Sequence, residues 1–556
     1  MKRAVCCFLA LIGLPAVRAD VIVAPGAEWT PIDRPSETIR GSALDFRPFA
    51  RSAPGRFNGV NLIFDACFPK TVSDRDYLLD RLEELGYNAI RLHHCDSRLT
   101  AGHEDECRAF DELVAAAARR GFALTFDLYC SRDVSWRAVG IDRGGVMKSN
   151  VFKALVLTHP PALDDWKAFV SNRMTRINAV TGVRYADDPA IALLTLVNEG
   201  TFSMGWPDVR TVPEVAAAWD GWRTEKGLPP REFGKLKMDD AELQVFAGEC
   251  EKRVSTEQIR FLRSLGVKAR LSSANCRPHT AAKREVRRAL YDWVDNHRYI
   301  DPPKFPGKRW SPPYASDNTR PADAFRLRLD DALSAKVPGK PYVLTEWNWA
   351  APGRYRSAAA FVYGAFAAKC DADGMFQFAF ANSVGMVRSP RTVPDVYAVS
   401  ADPIQIATAR IMAAAFGRGD FRENFAFSSD AGTGIVTASS PRTCGGFAER
   451  GAFRAGDLTA EVSGTAATVA AISLDGRELR GSGRILVVHL TDAQGEGARF
   501  SDDRRLRMDK GRDRTLAAKG RANVSLAHAA GNVRCRSLRL DGAPFNAIPV
   551  SFADGR

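Results

Sequence analysis

The stretch FNGVNLIFDACFPKTVSDRDYLLDRLEELGYNAIRLHH, residues 57–94, contains one complete unit of the pattern that decides the fold. FNGVNLIF (57–64) and NAIRLHH (88–94) are short apolar runs of the strand type, and DRDYLLDRLEELG (74–86) between them has helical periodicity. We predict that this helix begins after an N-cap at Ser73 and ends at Gly86. A strand, a helix and a second strand in this order predict two parallel neighbouring strands.

The same alternation continues along the chain and yields eight predicted strands, which are 57–64, 88–94, 122–129, 190–198, 267–275, 293–299, 341–347 and 374–380. Helical stretches separate them, and another, PIQIATARIMAAAFG (403–417), follows the last one. Eight such units predict an α/β fold, a (β/α)8 TIM barrel over residues 57–417. A doubly wound open sheet is the alternative. It is disfavoured because no Gly-rich nucleotide-binding turn follows any strand.

The chain changes character after residue 417. Short alternating runs such as GTGIVTASS, LTAEVSG and GRILVVHLTD are separated by Gly, Asp and Asn. This pattern predicts a C-terminal antiparallel β-sandwich domain over residues 418–556. Residues 20–56 are predicted to be a lead-in with two or three short strands that pair with this domain.

The first nineteen residues, MKRAVCCFLALIGLPAVRA, have the form of a secretory signal peptide. A basic start precedes a short apolar core, and Val17-Arg18-Ala19 offers small residues at the cleavage positions. We therefore expect cleavage after Ala19 and a secreted or periplasmic protein. No later stretch approaches 18 apolar residues, so no membrane span is predicted.

Composition limits the possible partners and cofactors. The net charge of the 556 residues is +13, but basic and acidic residues are interspersed, so a solvated basic surface is favoured over nucleic-acid binding. Nine irregularly spaced cysteines follow the predicted cleavage site, and none forms a C-x-x-C pair. The sequence therefore predicts no metal site and no other cofactor.

Two predicted strands each lead to a glutamate. LTLVNEGT (194–201) reaches Glu199 just beyond strand four, and VLTEWNW (343–349) carries Glu346 at the end of strand seven. In a barrel both ends open onto one face, so the two carboxylates are expected to face each other across the mouth. Glycoside hydrolysis requires such a pair, and a retaining enzyme holds the carboxyls about 5–5.5 Å apart. Paired structural ions are the alternative reading.

Further polar side chains are predicted at the same face. Arg91 and His93 share parity on strand two, and His297 and Tyr299 share parity on strand six. Asn198 directly precedes Glu199.

These motifs resemble clan A glycoside hydrolases, above all the cellulase-like family 5. NAIRLHH, LVNEG, DNHRY and LTEW are similar, in order, to that family's Arg on strand two, Asn-Glu on strand four, His-x-Tyr on strand six and Glu on strand seven. The resemblance covers roughly residues 57–417. It implies a secreted retaining β-glycoside hydrolase that degrades an oligo- or polysaccharide without a metal or organic cofactor.

The resemblance also implies roles for individual residues. Glu199 is expected to be the acid/base, with a raised pKa, and Glu346 the nucleophile, kept ionised by Arg91. Asn198 is expected to bind the sugar 2-hydroxyl, Tyr299 to donate to the nucleophile, and His297 to line the acid/base side.

Two features depart from the family pattern. Strand three ends in FDLYC instead of a His, which His93 and His94 are expected to replace. Strand eight, FQFAF, lacks a Trp that would form the floor beneath the sugar, and Trp347 or Trp349 is expected to serve instead.

Two other functions fit the same residues. A transglycosylase shares the whole set and differs only in excluding water from the acceptor site. A non-catalytic carbohydrate-binding protein on this scaffold is disfavoured, because it has no need of both glutamates.

Overall fold

The structure is a computed structural model that describes residues 4–10, 29–32, 40–50, 55–273, 275–276, 279–389, 391–422, 424–529, 533–540 and 542–551. Its centre is a barrel of eight parallel strands, as the sequence predicts. They are β1 (Phe57–Ile63), β2 (Ala89–His93), β3 (Ala123–Asp127), β4 (Ile191–Thr195), β5 (Arg270–Ser272), β6 (Val294–Ile300), β7 (Tyr342–Trp349) and β8 (Gly374–Ala381).

The eight strands follow one another in chain order around the barrel. β8 pairs with β1, which joins the first strand to the last. In the described residues, β5 and β6 are not paired as strands. Two hydrogen bonds join their beginnings instead: Asp292 N donates to Leu271 O over 2.9 Å, and Ser272 Oγ donates to Trp293 O over 2.7 Å. The barrel is therefore nearly closed, and the carboxyl ends of all eight strands face one mouth.

Helices cover the outside of the barrel. The first, Val72–Glu84, begins two residues earlier than predicted because Thr71 Oγ1, and not Ser73, accepts from Asp74 N over 3.1 Å. Ser73 Oγ instead accepts from Arg388 Nη2 over 3.0 Å. The remaining helices are Glu104–Arg119, Ser149–Thr158, Pro160–Thr175, Trp206–Val209, Pro213–Glu225, Ala241–Ser264, Ala281–Leu290, Pro321–Ala335, Ala359–Cys370, Val384–Arg388 and Pro403–Met412, the last continuing into a π-turn at Ala413–Gly417.

A large mixed sheet follows the barrel. Its spatial order is Ala426–Ser429, Val436–Ser439, Thr443–Ala448, Ala467–Ser473, Arg484–Leu490, Ala4–Ala10, Val533–Leu538 and Pro544–Ile548. One face packs against barrel helices. The other packs against an antiparallel sheet of Gly451–Ala455, Leu458–Ser463 and Arg521–Leu526. These two layers form the predicted sandwich, which is antiparallel except at Ala4–Ala10.

Three small sheets complete the strands. Trp29–Ile32, from the predicted lead-in, pairs antiparallel with Arg512–Ala518, which also pairs with Ala493–Glu496. Tyr314–Ala315 pairs with Leu506–Asp509, which also pairs with Arg499–Phe500. The last sheet is the hairpin of Val134–Ser135 and Val146–Met147.

The predicted signal peptide is partly described. In this uncleaved chain Ala4–Ala10 is a strand parallel to both of its neighbours. The cleavage site and the rest of residues 11–28 lie outside the described residues, so the cleavage stays a prediction. Among the helices that the structure describes, none has the length and apolar character needed to cross a membrane.

The base of the barrel is closed by apolar side chains, which include Phe376 of β8. Its ring lies directly over Gly59 of β1, where an added Cβ would come 2.2 Å from Phe376 Cδ1. Gly59 is therefore required so that β1 and β8 can approach each other around a filled interior.

We predict that Gly59→Ala lowers the free energy of unfolding by about 1–3 kcal/mol, because the buried ring has to move out of its place. The measurement is the thermal unfolding temperature by calorimetry. Gly221→Ala is the matched control, since an added Cβ there meets nothing within 4 Å on an exposed helix position. An equal unfolding temperature for the two variants would contradict the packing argument.

Candidate active site

Glu199 and Glu346 both lie at the mouth of the barrel. Glu346 belongs to β7, and Glu199 lies beyond the end of β4, with a left-handed φ of +49°. Two bonds hold that turn: Asn198 N donates to Tyr129 O over 2.9 Å, and Glu199 N donates to Asn275 Oδ1 over 2.7 Å. Loops after β3 and β5 therefore fix the direction of the Glu199 carboxylate.

The two carboxylates share one histidine. His297 Nδ1 lies 3.1 Å from Glu199 Oε1 and 3.3 Å from Glu346 Oε2. The nearest carboxylate oxygens of the two glutamates lie within 4.8 Å of each other. The glutamate side chains are 24% and 6% exposed, so Glu199 is the more accessible. Retaining glycosidases hold their two carboxyl groups about 5–5.5 Å apart, and the close approach seen here is compatible with such a pair.

Glu346 is held as an ion by its neighbours. Arg91 Nη1 donates to Oε1 over 2.7 Å, and Tyr299 OH donates to Oε2 over 2.5 Å. Burial alone raises the pKa of Glu346, but the charges of His297 and Arg91 outweigh it and leave that pKa lowered. Burial and the neighbouring carboxylate raise the pKa of Tyr299 well above its usual value, so its hydroxyl remains a donor.

The pKa of Glu199 differs from the sequence expectation. Burial raises it, but the hydrogen bond and charge of His297, together with the charges of Lys153 and Arg91, lower the pKa of Glu199 to about 2. The pKa of His297 is correspondingly raised: burial lowers it, and the two carboxylates more than compensate. The raised pKa expected for Glu199 is therefore wrong, because the hydrogen bond and the charge of His297 favour the ionised carboxylate.

Hydrogen-bond geometry gives the same protonation state. Thr345 Oγ1 donates to Asp295 Oδ1 over 2.5 Å and lies 3.1 Å from His297 Nε2, so it has only a lone pair left for the imidazole. Nδ1 faces carboxylates, which accept. Both ring nitrogens then face acceptors, an arrangement that fits an imidazolium at His297. Burial raises the pKa of Asp295, yet Thr195, Asn275 and Thr345 all donate to its oxygens, which requires an acceptor there.

Asn198 is oriented by the same network. Its Oδ1 accepts from Arg91 Nη2 over 2.9 Å and from Asn275 Nδ2 over 3.2 Å. The amide nitrogen is thereby turned toward the cleft side, where its described contact is Cys130 Sγ at 3.6 Å. Asn275 was not predicted. The signal available in the sequence is its position in SSAN, at the carboxyl end of β5.

The two histidines of β2 lie beside the nucleophile. His93 Nδ1 is hydrogen-bonded to Asp127 Oδ2, and its Nε2 lies 3.6 Å from Glu346 Oε1. His94 is half-buried and stacks on Phe64 at 5.0 Å between ring centroids. Burial, with the charge of Arg91, lowers the pKa of His93 well below its usual value, and burial lowers that of His94 as well. These lowered pKa values favour the neutral form of both imidazoles.

Trp347 and Trp349 do not line the cleft. They are 1% and 0% exposed, and they alternate with Glu346 along β7 so that they point outward to the helices. Trp347 packs on Tyr363 at 4.6 Å, and Trp349 Nε1 donates to Asp301 over 3.1 Å. Neither can stack on a sugar, and the expectation that one of them forms the sugar floor is wrong for this reason.

Other aromatic rings surround the mouth instead. Phe64, directly after β1, is 44% exposed, and Trp310 is 55% exposed. Tyr397 lies 5.0 Å from Tyr299 and 6.3 Å from Trp310, measured between ring centroids. It therefore packs between the tyrosine that donates to Glu346 and the exposed tryptophan. Phe64 was missed because the predicted strand 57–64 includes it, and Tyr397 was missed because it lies in a loop without a periodic pattern. Their position after β1 and β8 was the available signal.

Two clusters of the described residues could hold a metal ion. One is Glu199, His297 and Glu346, and the other is His93, His94 and Cys130. In the first, the oxygens of Glu346 already accept from Arg91 and Tyr299, and the histidine is protonated, so its donor set is poor for a cation.

No protein-family model and no curated protein matches the sequence. Among solved structures, the chain is similar to an endo-β-1,4-mannanase from Thermotoga petrophila, with 13% identity and a TM-score of 0.46 over 80% of this chain and 98% of that one. It is also similar to a glycoside hydrolase family 5 mannosidase from Rhizomucor miehei, with 15% identity and a TM-score of 0.39 over 66% and 94%. A β-galactosidase from Halorubrum lacusprofundi has 13% identity and a TM-score of 0.42 over 67% and 59%.

The protonation of His297 can be tested directly. We predict that in protein labelled with ¹⁵N-histidine the NMR titration gives His297 a pKa above its ordinary 6.5, whereas His93 stays neutral at pH values well below 6.5. In Glu199→Gln the pKa of His297 falls, because one of its two anionic partners is lost. A neutral His297 at pH 6 in the unmodified protein would contradict the assigned proton.

Proposed function

We propose that this protein is a retaining β-glycoside hydrolase that cleaves an oligo- or polysaccharide by double displacement. The observation that carries the proposal is the pair Glu199 and Glu346, whose nearest oxygens lie within 4.8 Å at the mouth of a (β/α)8 barrel. Such a pair serves both steps of the reaction. One carboxylate attacks the anomeric carbon, and the other protonates the leaving oxygen and then activates water.

Glu346 is the proposed nucleophile. It is the more buried of the two, and Arg91 and Tyr299 contact one oxygen each, at 2.7 and 2.5 Å. These contacts favour the ionised form and fix the carboxylate plane. When Oε2 bonds to carbon, its partner Tyr299 is free to donate elsewhere, while Arg91 continues to hold Oε1.

Glu199 is the proposed acid/base, and His297 supplies its proton. In this proposal the free protein holds the proton at His297 Nδ1, which lies 3.1 Å from Glu199 Oε1. A sugar between the carboxylates displaces water from both, which raises the cost of separated charges and favours a neutral Glu199–His297 pair. Proton transfer across this bond would then prepare Glu199 to protonate the glycosidic oxygen.

The substrate is proposed to contact the aromatic side chains at the mouth. Phe64 and Trp310 are exposed, and sugar rings pack their C–H edges on such faces. Asn198, turned by Arg91 and Asn275, has its amide nitrogen on the cleft side for a hydroxyl next to the anomeric carbon.

We predict that Glu346→Ala and Glu199→Ala each lower turnover of aryl β-glycosides by at least about 10²–10⁴-fold, because each removes a group that acts in the transition state. Azide should restore Glu346→Ala with an α-glycosyl azide product and Glu199→Ala with a β-glycosyl azide product. The readout is product configuration by NMR.

Glu112→Ala is the matched control, since this partly exposed carboxylate lies on a surface helix remote from the mouth. Full activity in both active-site variants would refute the mechanism. Saccharide binding without turnover in the unmodified protein would instead support a carbohydrate-binding role.

The protein is also proposed to be exported. The support is the basic start, short apolar segment and small-residue cleavage motif of residues 1–19. We predict that expression with the native leader in a Gram-negative host gives a periplasmic protein whose N-terminal residue, read by mass spectrometry, is Asp20. A cytosolic product that retains residues 1–19 would contradict export.

A further inference from the structure

We propose that His93, His94 and Cys130 form a zinc-binding site at the rim of the barrel mouth. His93 ends β2 and His94 follows it directly, and the cysteine lies three residues beyond the end of β3. Two imidazoles and one thiolate are ligands that suit a borderline-soft divalent ion such as Zn²⁺. The sequence did not predict this site, because its ligands come from neighbouring strands and not from one C-x-x-C segment.

The ligand atoms already have the separation that zinc requires. Cys130 Sγ lies 3.4 Å from His93 Nε2 and 3.3 Å from His94 Nδ1, and all three atoms lie within 4.8 Å of one another. With Zn–S near about 2.3 Å and Zn–N near about 2.0 Å, a tetrahedral ion spans a sulfur–nitrogen edge of roughly 3.6 Å. Both sulfur–nitrogen distances therefore lie within a few tenths of an ångström of that edge.

His93 is oriented as zinc-bound histidines are. Its Nδ1 is bonded to Asp127 Oδ2, and a carboxylate there only accepts, so the hydrogen is on Nδ1 and the lone pair of the neutral ring is on Nε2. A carboxylate behind the histidine fixes the ring and increases the basicity of the opposite nitrogen. Asp127 is itself anchored by Arg91 Nη2 over 2.8 Å.

Cys130 and His94 are held at the same place. Cys130 N donates to Asp96 Oδ2 over 2.8 Å, and Asn198 Nδ2 approaches Sγ at 3.6 Å. His94 Nδ1 also lies 3.0 Å from Ser131 Oγ. Zinc would take the place of that hydroxyl contact, with the ring hydrogen on Nε2.

Binding releases one proton. The Cys130 thiol gives its proton to solvent as the sulfur–zinc bond forms, so affinity increases with pH. Because His93 Nε2 is only 3.6 Å from Glu346 Oε1, the ion would lie next to the proposed nucleophile. On the basis of the proposed function, zinc is therefore expected to inhibit reversibly. The binding site itself does not depend on that function.

The first test uses cobalt as a spectroscopic probe of the full-length protein. We expect one equivalent of Co²⁺ to give a thiolate-to-cobalt absorption band that one equivalent of Zn²⁺ removes. Cys130→Ser should abolish the band, and His94→Ala should weaken binding at least about 10-fold. Cys250→Ser, which changes another buried thiol on a distant helix, should leave the band unchanged. A band that persists in Cys130→Ser would overturn the proposal.

The second test needs no variant and therefore does not depend on how well a substituted protein folds. X-ray absorption of the zinc-loaded protein should give one sulfur near about 2.3 Å and at least two nitrogens near about 2.0 Å. Oxygen and nitrogen ligands alone would place the ion at Glu199, His297 and Glu346 and refute the site.

The third test concerns inhibition. Addition of Zn²⁺ should lower turnover of the unmodified protein, and a chelator should restore it, with the same concentration dependence as the cobalt displacement. If zinc binds with sulfur ligation but no turnover exists to be inhibited, the hydrolase proposal fails and the metal site stands. If turnover is observed and zinc does not bind, the metal site is refuted and the hydrolase proposal stands.

Discussion

The burial of one guanidinium governs the arrangement of the barrel mouth. Arg91 is 0% exposed, and its amino groups donate to four side chains from different strands and strand ends, which are Asn61, Asp127, Asn198 and Glu346. A buried charge is costly unless it is paired and its donors are satisfied. The partners of Arg91 come together only when β1, β2, β3, β4 and β7 are aligned in one register. Folding of the barrel and assembly of the polar mouth are therefore the same event.

The charge balance around Arg91 explains the protonation of its surroundings. Two carboxylates, Asp127 and Glu346, contact the guanidinium, and two more, Glu199 and Asp295, lie nearby. One guanidinium cannot neutralise four anions. The imidazolium of His297 supplies a second positive charge at the point where both glutamates can reach it. Removal of either cation would leave buried anions without compensation, which makes the two cations interdependent.

Strand parity predicted part of this arrangement. Arg91 with His93, and His297 with Tyr299, do converge on the glutamates, because side chains two apart on a strand share a face. The same rule places Trp347 and Trp349 on the opposite face from Glu346, so their exclusion from the cleft was already implied by the sequence. The expectation that one of them forms the sugar floor came from the family resemblance and did not take strand parity into account.

Other features depend on how strand ends approach one another, and periodicity does not contain that information. Asn275 and Cys130 belong to loops whose paths are set by the barrel's closure. The low pKa of Glu199 arises from an imidazole that is distant in sequence and comes within 3.1 Å only in the folded barrel. The eight strands could be predicted because each one has a local, periodic sequence pattern. The interaction of Glu199 with His297 could not, because it depends on the distance between two side chains in the folded protein.

The small sheet between the barrel and the C-terminal strands joins one wall of the cleft to the C-terminal part of the chain. Tyr314–Ala315, which follows Trp310 in the loop after β6, pairs with Leu506–Asp509, and Arg507 lies over the Tyr314 ring at 5.0 Å. Arg356, beyond β7, contacts both Asp402 of the barrel and Asp492 of the C-terminal part. A barrel separated from the C-terminal part would lose the strand that pairs with its own cleft wall and the carboxylate that binds Arg356. The shape of the cleft therefore depends on residues more than a hundred positions away from the barrel strands that carry the glutamates.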